Sequence, residues 1–160
     1  MAMELCVLGE VEARIDGRYV DLGHARQRCV LAALLVEPNR AVPVDQLADR
    51  VWGERPPQRA RETIYSYVSR LPPLLAHGDD MGIVRQSGGY ALKIDPMSVD
   101  LHRFRHLISQ ARGTDDGSVA ATLYEQALGL WRGDAFGSLD TPWVAVIREA
   151  LHRERLAAEM

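Results

Sequence analysis

One stretch of this chain, residues 40–94, constrains its fold more than any other part of the sequence. It contains a short helical pattern at residues 44–52, the turn G-E-R-P-P and a second, arginine-bearing helical pattern at residues 59–71. Two β-type segments around a pair of glycines follow at residues 83–94. Helix, turn, basic helix and hairpin in that order predict a winged helix-turn-helix, which presents one helix to the major groove of DNA.

The arginine-bearing helix has two distinct faces. Ile64, Val68 and Leu71 recur at helical spacing, so we expect them to face the core. We expect the other face to carry Arg59, Thr63, Ser66, Tyr67 and Arg70. Two prolines follow at positions 72 and 73, and because each lacks a backbone donor they predict that the regular helix ends near Leu71.

Charge supports the same interpretation once it is counted locally. Taken alone, the formal net charge of −3 at pH 7 disfavours binding to nucleic acid. Phosphates respond to a local patch, however, and residues 55–70 hold four arginines against one glutamate. Arginine suits paired contacts with phosphate and guanine. The same bias, with Lys93 as the sole lysine, is also what genome composition alone could produce.

The predicted DNA-contact residues lie on the arginine-bearing helix and on the hairpin. Thr63 and Ser66 could read base edges, whereas the arginines could bind phosphate alone, which carries no sequence information. Tyr67 either faces the groove or packs against Leu71 or the hairpin. The candidates are Arg59, Arg61, Thr63, Ser66, Tyr67, Arg70, Arg85 and Lys93.

The N-terminal part predicts a small sheet and a first helix. Three alternating segments at residues 4–22, with a turn at residues 16–17, read as antiparallel strands. A helical pattern then runs from Gly23 until a Pro-Asn pair at residues 38–39. Arg26 and Arg28 near its start either contact the DNA backbone or are simply exposed.

The sequence after residue 95 reads as all-helical, so we place a domain boundary at Asp95-Pro96, between domains 1–95 and 96–160. A first helix precedes a turn at residues 114–118, a second is expected to end at Gly133, and a third runs from about Thr141. The second and third resemble a tetratricopeptide-like pair, with small residues that allow close approach. One such pair cannot bury its apolar face alone, so we expect partner helices from elsewhere.

Other classes of function find little support. His102 and His106 have a spacing that can bind zinc, but no glutamate follows His102 and no third ligand is evident, so we expect no metal or cofactor. No nucleophile, base or phosphate-loop pattern indicates an enzyme. No apolar run is long enough to span a bilayer, and the N-terminus lacks a basic region, so we expect a cytoplasmic protein.

Several motifs occur in order along the chain. In the first domain they are G-H-A-R-Q-R-C-V-L-A-A-L-L (23–35), V-D-Q-L-A-D-R-V-W-G-E-R-P-P (44–57), Y-S-Y-V-S-R-L (65–71) and G-G-Y-A-L (88–92). In the second they are V-D-L-H-R-F (99–104) and A-L-G-L-W-R-G-D-A (127–135). The first set resembles the OmpR-type winged helix of the Streptomyces antibiotic regulatory protein family, and the second set resembles the start of that family's bacterial transcriptional activation domain.

This resemblance implies an α+β winged helix followed by a tetratricopeptide-like helical segment, and no catalysis. It implies a transcriptional activator, often specific to an antibiotic pathway, that binds direct repeats in promoter DNA and recruits RNA polymerase. Two protomers would then lie side by side in the same orientation. Where the family has basic residues, this chain has prolines at positions 72 and 73, so we expect weaker phosphate contact there. The alternative is a protein-interaction module that uses the winged helix as a scaffold.

Overall fold

The computed structural model describes residues 3–71 and 82–160. It begins with the predicted antiparallel sheet, formed by β1 (Met3–Cys6), β2 (Glu12–Ile15) and β3 (Arg18–Val20) in that order. The turn before β3 uses Asp16 and Gly17, both with positive φ. The mixture of this sheet with the helices that follow confirms the predicted α+β class.

Three helices then form the helix-turn-helix core: α1 (Ala25–Leu35), α2 (Val44–Trp52) and α3 (Ala60–Arg70). The ring of His24 caps α1, where its Nδ1 accepts a hydrogen bond from the backbone N–H of Gln27. Gly53 ends α2 with φ of +69°, a conformation that favours glycine. The predicted order of helices is therefore confirmed.

The predicted hairpin is present as a three-stranded wing. Its strands are β4 (Val42–Pro43), β5 (Gly82–Gln86) and β6 (Gly89–Lys93), arranged in the order β4-β6-β5. The wing therefore ends in β5 as an edge strand, while β4 ties β6 to the start of α2. A further hydrogen bond of 3.3 Å from Val44 N to the Gly88 carbonyl fastens the turn of the hairpin to α2.

Helix α3 ends where the sequence predicts. Leu71 has φ of −64° and ψ of 151°, the extended conformation that a residue before proline prefers. The prolines at positions 72 and 73, to which we assigned this helix end, lie outside the described residues. Their expected effect on phosphate contact therefore remains a prediction.

The helical half contains a short 3-10 turn (Pro96–Ser98), α4 (Asp100–Gly113), α5 (Gly117–Leu128) and α6 (Pro142–Glu159). The prediction that the second of these helices ends at Gly133 was wrong, because α5 ends at Leu128 with Gly129 as its C-cap. The chain after α5 then hydrogen-bonds to the segment that follows β1. Arg132 N donates to Leu8 O, and Phe136 N donates to Val7 O, each at 2.8 Å.

The two halves share one hydrophobic core, and the buried carboxylate of Asp100 lies at their junction. One of its oxygens accepts hydrogen bonds from Val7 N at 2.8 Å and Leu101 N at 2.7 Å. The other accepts from Leu8 N at 3.0 Å and lies 3.9 Å from the guanidinium of Arg132. Burial raises the pKa of Asp100, while these donors and Arg132 act in the opposite direction.

A second junction joins α2 to the start of α6. The Thr141 hydroxyl donates to the Arg50 carbonyl at 2.7 Å and also accepts from Val144 N, so it caps α6 while it contacts α2. The guanidinium of Arg50 lies 5.2 Å from the ring centre of Trp143. The helix that precedes α3 is thus supported from the helical half.

Candidate nucleic-acid interface

The outer face of α3 carries most of the predicted contact residues. Arg59 and Arg70 are exposed, and Thr63 and Ser66 are half-buried, all on one side of the helix. The Thr63 hydroxyl donates to the Arg59 carbonyl at 2.9 Å, so toward a ligand it remains an acceptor. Ile64 is fully buried on the opposite side, which fixes the direction in which this face points.

Tyr67 does not lie on that face, and the prediction that it faces the groove was wrong. Its side chain is only 9% exposed. The ring packs edge-on against His24 with centroids 4.9 Å apart, and 6.1 Å from the ring of Trp52. Tyr67 is therefore a core residue that holds α3 against α1 and α2, and Trp52 packs against the core with it.

Arg61 is exposed but already has an acidic neighbour. Its guanidinium lies 3.3 Å from a carboxylate oxygen of Asp45, in the first turn of α2. Both side chains are largely exposed, at 59% for Arg61 and 78% for Asp45, so the pair adds little to stability. The pairing of Arg61 with Asp45 was not predicted, since nothing local in the sequence links positions 16 residues apart.

A cleft separates α3 from the wing, and we call it the wing cleft. It is lined by Val44, Arg61, Tyr65, Arg85 and residues 86–89. The guanidinium carbon of Arg85 lies 5.2 Å from the ring centre of Tyr65, which is a cation–π contact. Tyr65 was not among the predicted residues, because its contact with Arg85 depends on a strand that follows it by about 20 residues.

The two predicted wing cations lie on opposite faces of the hairpin. Arg85 pairs across the strands with Tyr90, whose ring lies 6.1 Å from Tyr65, so this face is turned toward α3. Lys93 pairs with Gly82 and is half-buried. Because side chains alternate along a strand, Lys93 and Tyr90 point to opposite sides. A single DNA backbone that passes through the wing cleft would meet Arg85 and not Lys93.

The two arginines of α1 have different surroundings. Arg28 lies 3.8 Å from a carboxylate oxygen of Glu10. Arg26 is exposed at a second cleft, which it lines together with Arg55 and the segment before α6. Contact of Arg26 or Arg28 with the DNA backbone remains a prediction.

The two histidines of α4 have different surroundings, and packing accounts for His102. The His102 ring nitrogen Nε2 lies 2.8 Å from the Leu35 carbonyl, and burial lowers the pKa of this histidine. His106 is exposed. Among residues 3–71 and 82–160, no group of three or more acidic, cysteine or histidine side chains could hold a metal ion. Within those same residues, no helix is long and apolar enough to cross a membrane.

Two known domain families match this chain in the order that the fold shows. Residues 18–92 match the family described as "Transcriptional regulatory protein, C terminal". Residues 99–159 match the "Bacterial transcriptional activator domain". The first range ends with the wing, and the second covers α4 to α6. Fold and matches together define a winged-helix transcriptional regulator with an appended helical activator domain.

Relatives of this chain are regulatory proteins. It is 37% identical to the regulatory protein AfsR of Streptomyces griseus, over 97% of this chain and 16% of that protein. It is 31% identical to the regulatory protein DnrI of Streptomyces peucetius, over 83% of this chain and 53% of that protein. A solved structure of Mycobacterium tuberculosis EmbR in complex with a low-affinity phosphopeptide superposes with a TM-score of 0.89 at 33% identity, covering 98% of this chain and 43% of that one.

The chain belongs to the Streptomyces antibiotic regulatory protein family of transcriptional regulators. It spans between about a sixth and about a half of the length of the relatives named above.

Proposed function

We propose that this chain binds promoter DNA by placing α3 in the major groove and the wing along the neighbouring backbone. The observation that carries the proposal is the outer face of α3, where Arg59, Thr63, Ser66 and Arg70 lie together while Ile64 and Tyr67 anchor the other side in the core. A rigid helix with an accessible basic and hydroxyl-bearing face suits both backbone and base contacts. Arg61 and Arg85 extend this surface into the wing cleft.

The proposal extends to the way in which the protein regulates transcription. Two protomers would bind direct repeats side by side in one orientation, and the helical half would offer a surface to RNA polymerase as an activator does. Family membership supports this assignment. We further propose that the boundary between domains 1–95 and 96–160 lies at Asp95-Pro96, in the interval between the two matched ranges. Because both families are regulators, we propose a cytoplasmic, non-enzymatic role that needs no cofactor.

A salt titration tests DNA binding. With a fluorescein-labelled 40-base-pair duplex of mixed sequence, we expect log affinity to fall linearly with log salt, with a slope of about −4 to −6. Arg59→Ala and Arg70→Ala should each reduce that slope by about one unit if they contact phosphate. Arg153→Ala, which removes an exposed arginine from α6, serves as the matched control and should change neither affinity nor slope.

Selection of binding sites from a random duplex library gives the second readout. A variant that loses affinity equally for all selected sites has lost a phosphate contact, whereas a loss confined to one base position indicates base reading. Absence of duplex binding by the wild type at about 50 mM salt would contradict the proposal, since electrostatic binding is strongest there. The winged helix would then be assigned to protein interaction.

Asp45 should oppose DNA binding. Its carboxylate holds Arg61 and brings a negative charge to the edge of the wing cleft. We expect Asp45→Asn to raise duplex affinity roughly threefold to tenfold at ~100 mM salt, because the variant frees the arginine and removes the repulsion. The loss of an acid from the first turn of α2 should cost only about 0.3–1 kcal/mol of stability.

The measurement is the same titration, with Glu149→Gln on the exposed face of α6 as a control that removes an equal charge. Equal gains in both variants would mean that only net charge matters. No gain for Asp45→Asn would mean that Arg61 does not reach the DNA.

A further inference from the structure

Tyr65 occupies an unusual position between the two elements proposed to contact DNA. It lies on α3, half-buried, on the side that faces the wing rather than on the outer face. Its ring contacts two wing residues at once: the Arg85 guanidinium lies 5.2 Å from the ring centre, and the Tyr90 ring lies 6.1 Å away at an angle of 66°. Through these two side-chain contacts, Tyr65 joins α3 to the wing.

The contact with Tyr65 involves an arginine that is otherwise exposed. Arg85 lies on β5, the edge strand, which hydrogen-bonds to β6 on one side. The other attachment of the wing, through β4 and the bond from Val44 N to Gly88 O, is made by β6 and the hairpin turn. An exposed arginine on an edge strand has several rotatable bonds, and the face of an aromatic ring restricts them.

The two arginines of the wing cleft differ in whether their partner offsets their positive charge. Arg61 enters the wing cleft while paired with the Asp45 carboxylate, which offsets its charge. Arg85 instead rests on an aromatic ring, which orients the guanidinium without neutralising it. Of the two cations that line the cleft among the described residues, Arg85 is therefore the better prepared to receive a phosphate.

We propose that Tyr65 is a positioning residue that holds Arg85 in the wing cleft, so that α3 and the wing bind one DNA backbone phosphate there as a single preorganised unit. The inference rests on the proposed function, since it assigns a role within DNA binding. Orienting the arginine before binding lowers the conformational entropy that association would otherwise cost. Tyr65 itself contributes through Arg85 and not by reading a base.

A double-mutant cycle tests the coupling. The proteins are the wild type, Tyr65→Met, Arg85→Ala and the combination of both, each titrated with salt against the labelled 40-base-pair duplex. We expect Arg85→Ala to weaken binding about tenfold and to reduce the salt slope by about one unit. Tyr65→Met should weaken binding about threefold to fivefold. In the Arg85→Ala background, Tyr65→Met should have no further effect.

Two control variants separate positioning from packing. Tyr65→Phe keeps the ring face and should stay within about twofold of the wild type. Tyr19→Met removes an exposed ring that lies 5.1 Å from the Arg14 guanidinium in the first sheet, so it deletes an equivalent arginine–tyrosine contact away from α3 and should leave affinity unchanged. Thermal unfolding of every variant shows whether it is folded, and Tyr65→Leu replaces Tyr65→Met if the latter is not.

The outcomes distinguish this inference from the proposed function. If the wild type fails to bind the duplex at low salt, DNA binding itself is wrong. If the wild type binds and the effects of Tyr65→Met and Arg85→Ala are additive, Tyr65 does not act through Arg85 and the inference is overturned. Loss of affinity in Tyr65→Phe equal to that in Tyr65→Met would likewise overturn it, because the hydroxyl group and not the ring would then be the active part.

Discussion

Asp100→Ala is expected to lower the free energy of unfolding by about 3–5 kcal/mol. The carboxylate accepts hydrogen bonds from the backbone N–H groups of Val7, Leu8 and Leu101, and its side chain lies beside Arg132. The residue is 2% exposed, so water cannot readily replace it. Alanine would leave three buried donors without an acceptor and would remove one of the two carboxylates beside the partly buried Arg132, the other being that of Glu12 at 2.9 Å.

Urea unfolding measured by circular dichroism gives this free energy directly, and the thermal midpoint should fall by roughly 10 °C. Asp115→Ala is the matched control, because Asp115 is exposed in the turn between α4 and α5 and should change stability by less than about 0.5 kcal/mol. An equally small change for Asp100→Ala would show that the carboxylate does not join the two halves in solution.

Gly89→Ala is expected to destabilise the protein by about 2–4 kcal/mol and to weaken DNA binding with it. A Cβ atom at Gly89 would overlap the carbonyl oxygen and carbon of Val42 and the Cα of Pro43. These are backbone atoms of the strand that pairs with Gly89, so they cannot rotate away as a side chain could. The variant must separate β4 from β6, which loosens the wing from α2.

Thermal unfolding and the duplex titration measure the two consequences. Gly133→Ala is the control, because a Cβ there meets nothing within 4 Å. If Gly89→Ala kept the thermal midpoint of the wild type, β4 and β6 would not approach each other in solution as closely as they do in the structure. If Gly133→Ala has normal stability while Gly89→Ala is less stable and binds DNA more weakly, the loss is due to the wing.

Local patterns were enough to predict the helices and strands of the winged helix. The spacing of Ile64 and Leu71, the prolines after Leu71 and the glycines of the hairpin act over a few residues, so they are readable in one dimension. The end of α5 was misplaced because the apolar pattern continues past Gly129. The chain leaves the helix there for hydrogen bonds with Val7 and Leu8, more than 100 positions away.

In the candidate interface, too, some features follow from local sequence and others depend on residues distant in the chain. Tyr67 lies about 60° around the helix from Arg70 and about 60° from Ile64, so helical geometry alone places it on neither face. The neighbours His24 and Trp52 decide that it is buried. Likewise, alternation along the strands separates Arg85 from Lys93 only once the register of the hairpin is known.

Local patterns in the sequence were sufficient to predict the order of the elements, the basic outer face of α3 and membership of a family of transcriptional regulators, because spacing, turn residues and motifs are local properties of the chain. Three features could be seen only in the folded protein: the junction at Asp100, the pairing of Arg61 with Asp45 and the contact of Tyr65 with Arg85. Each of these joins residues distant in sequence, and their distances are set by how α3, the wing and the helical half pack together.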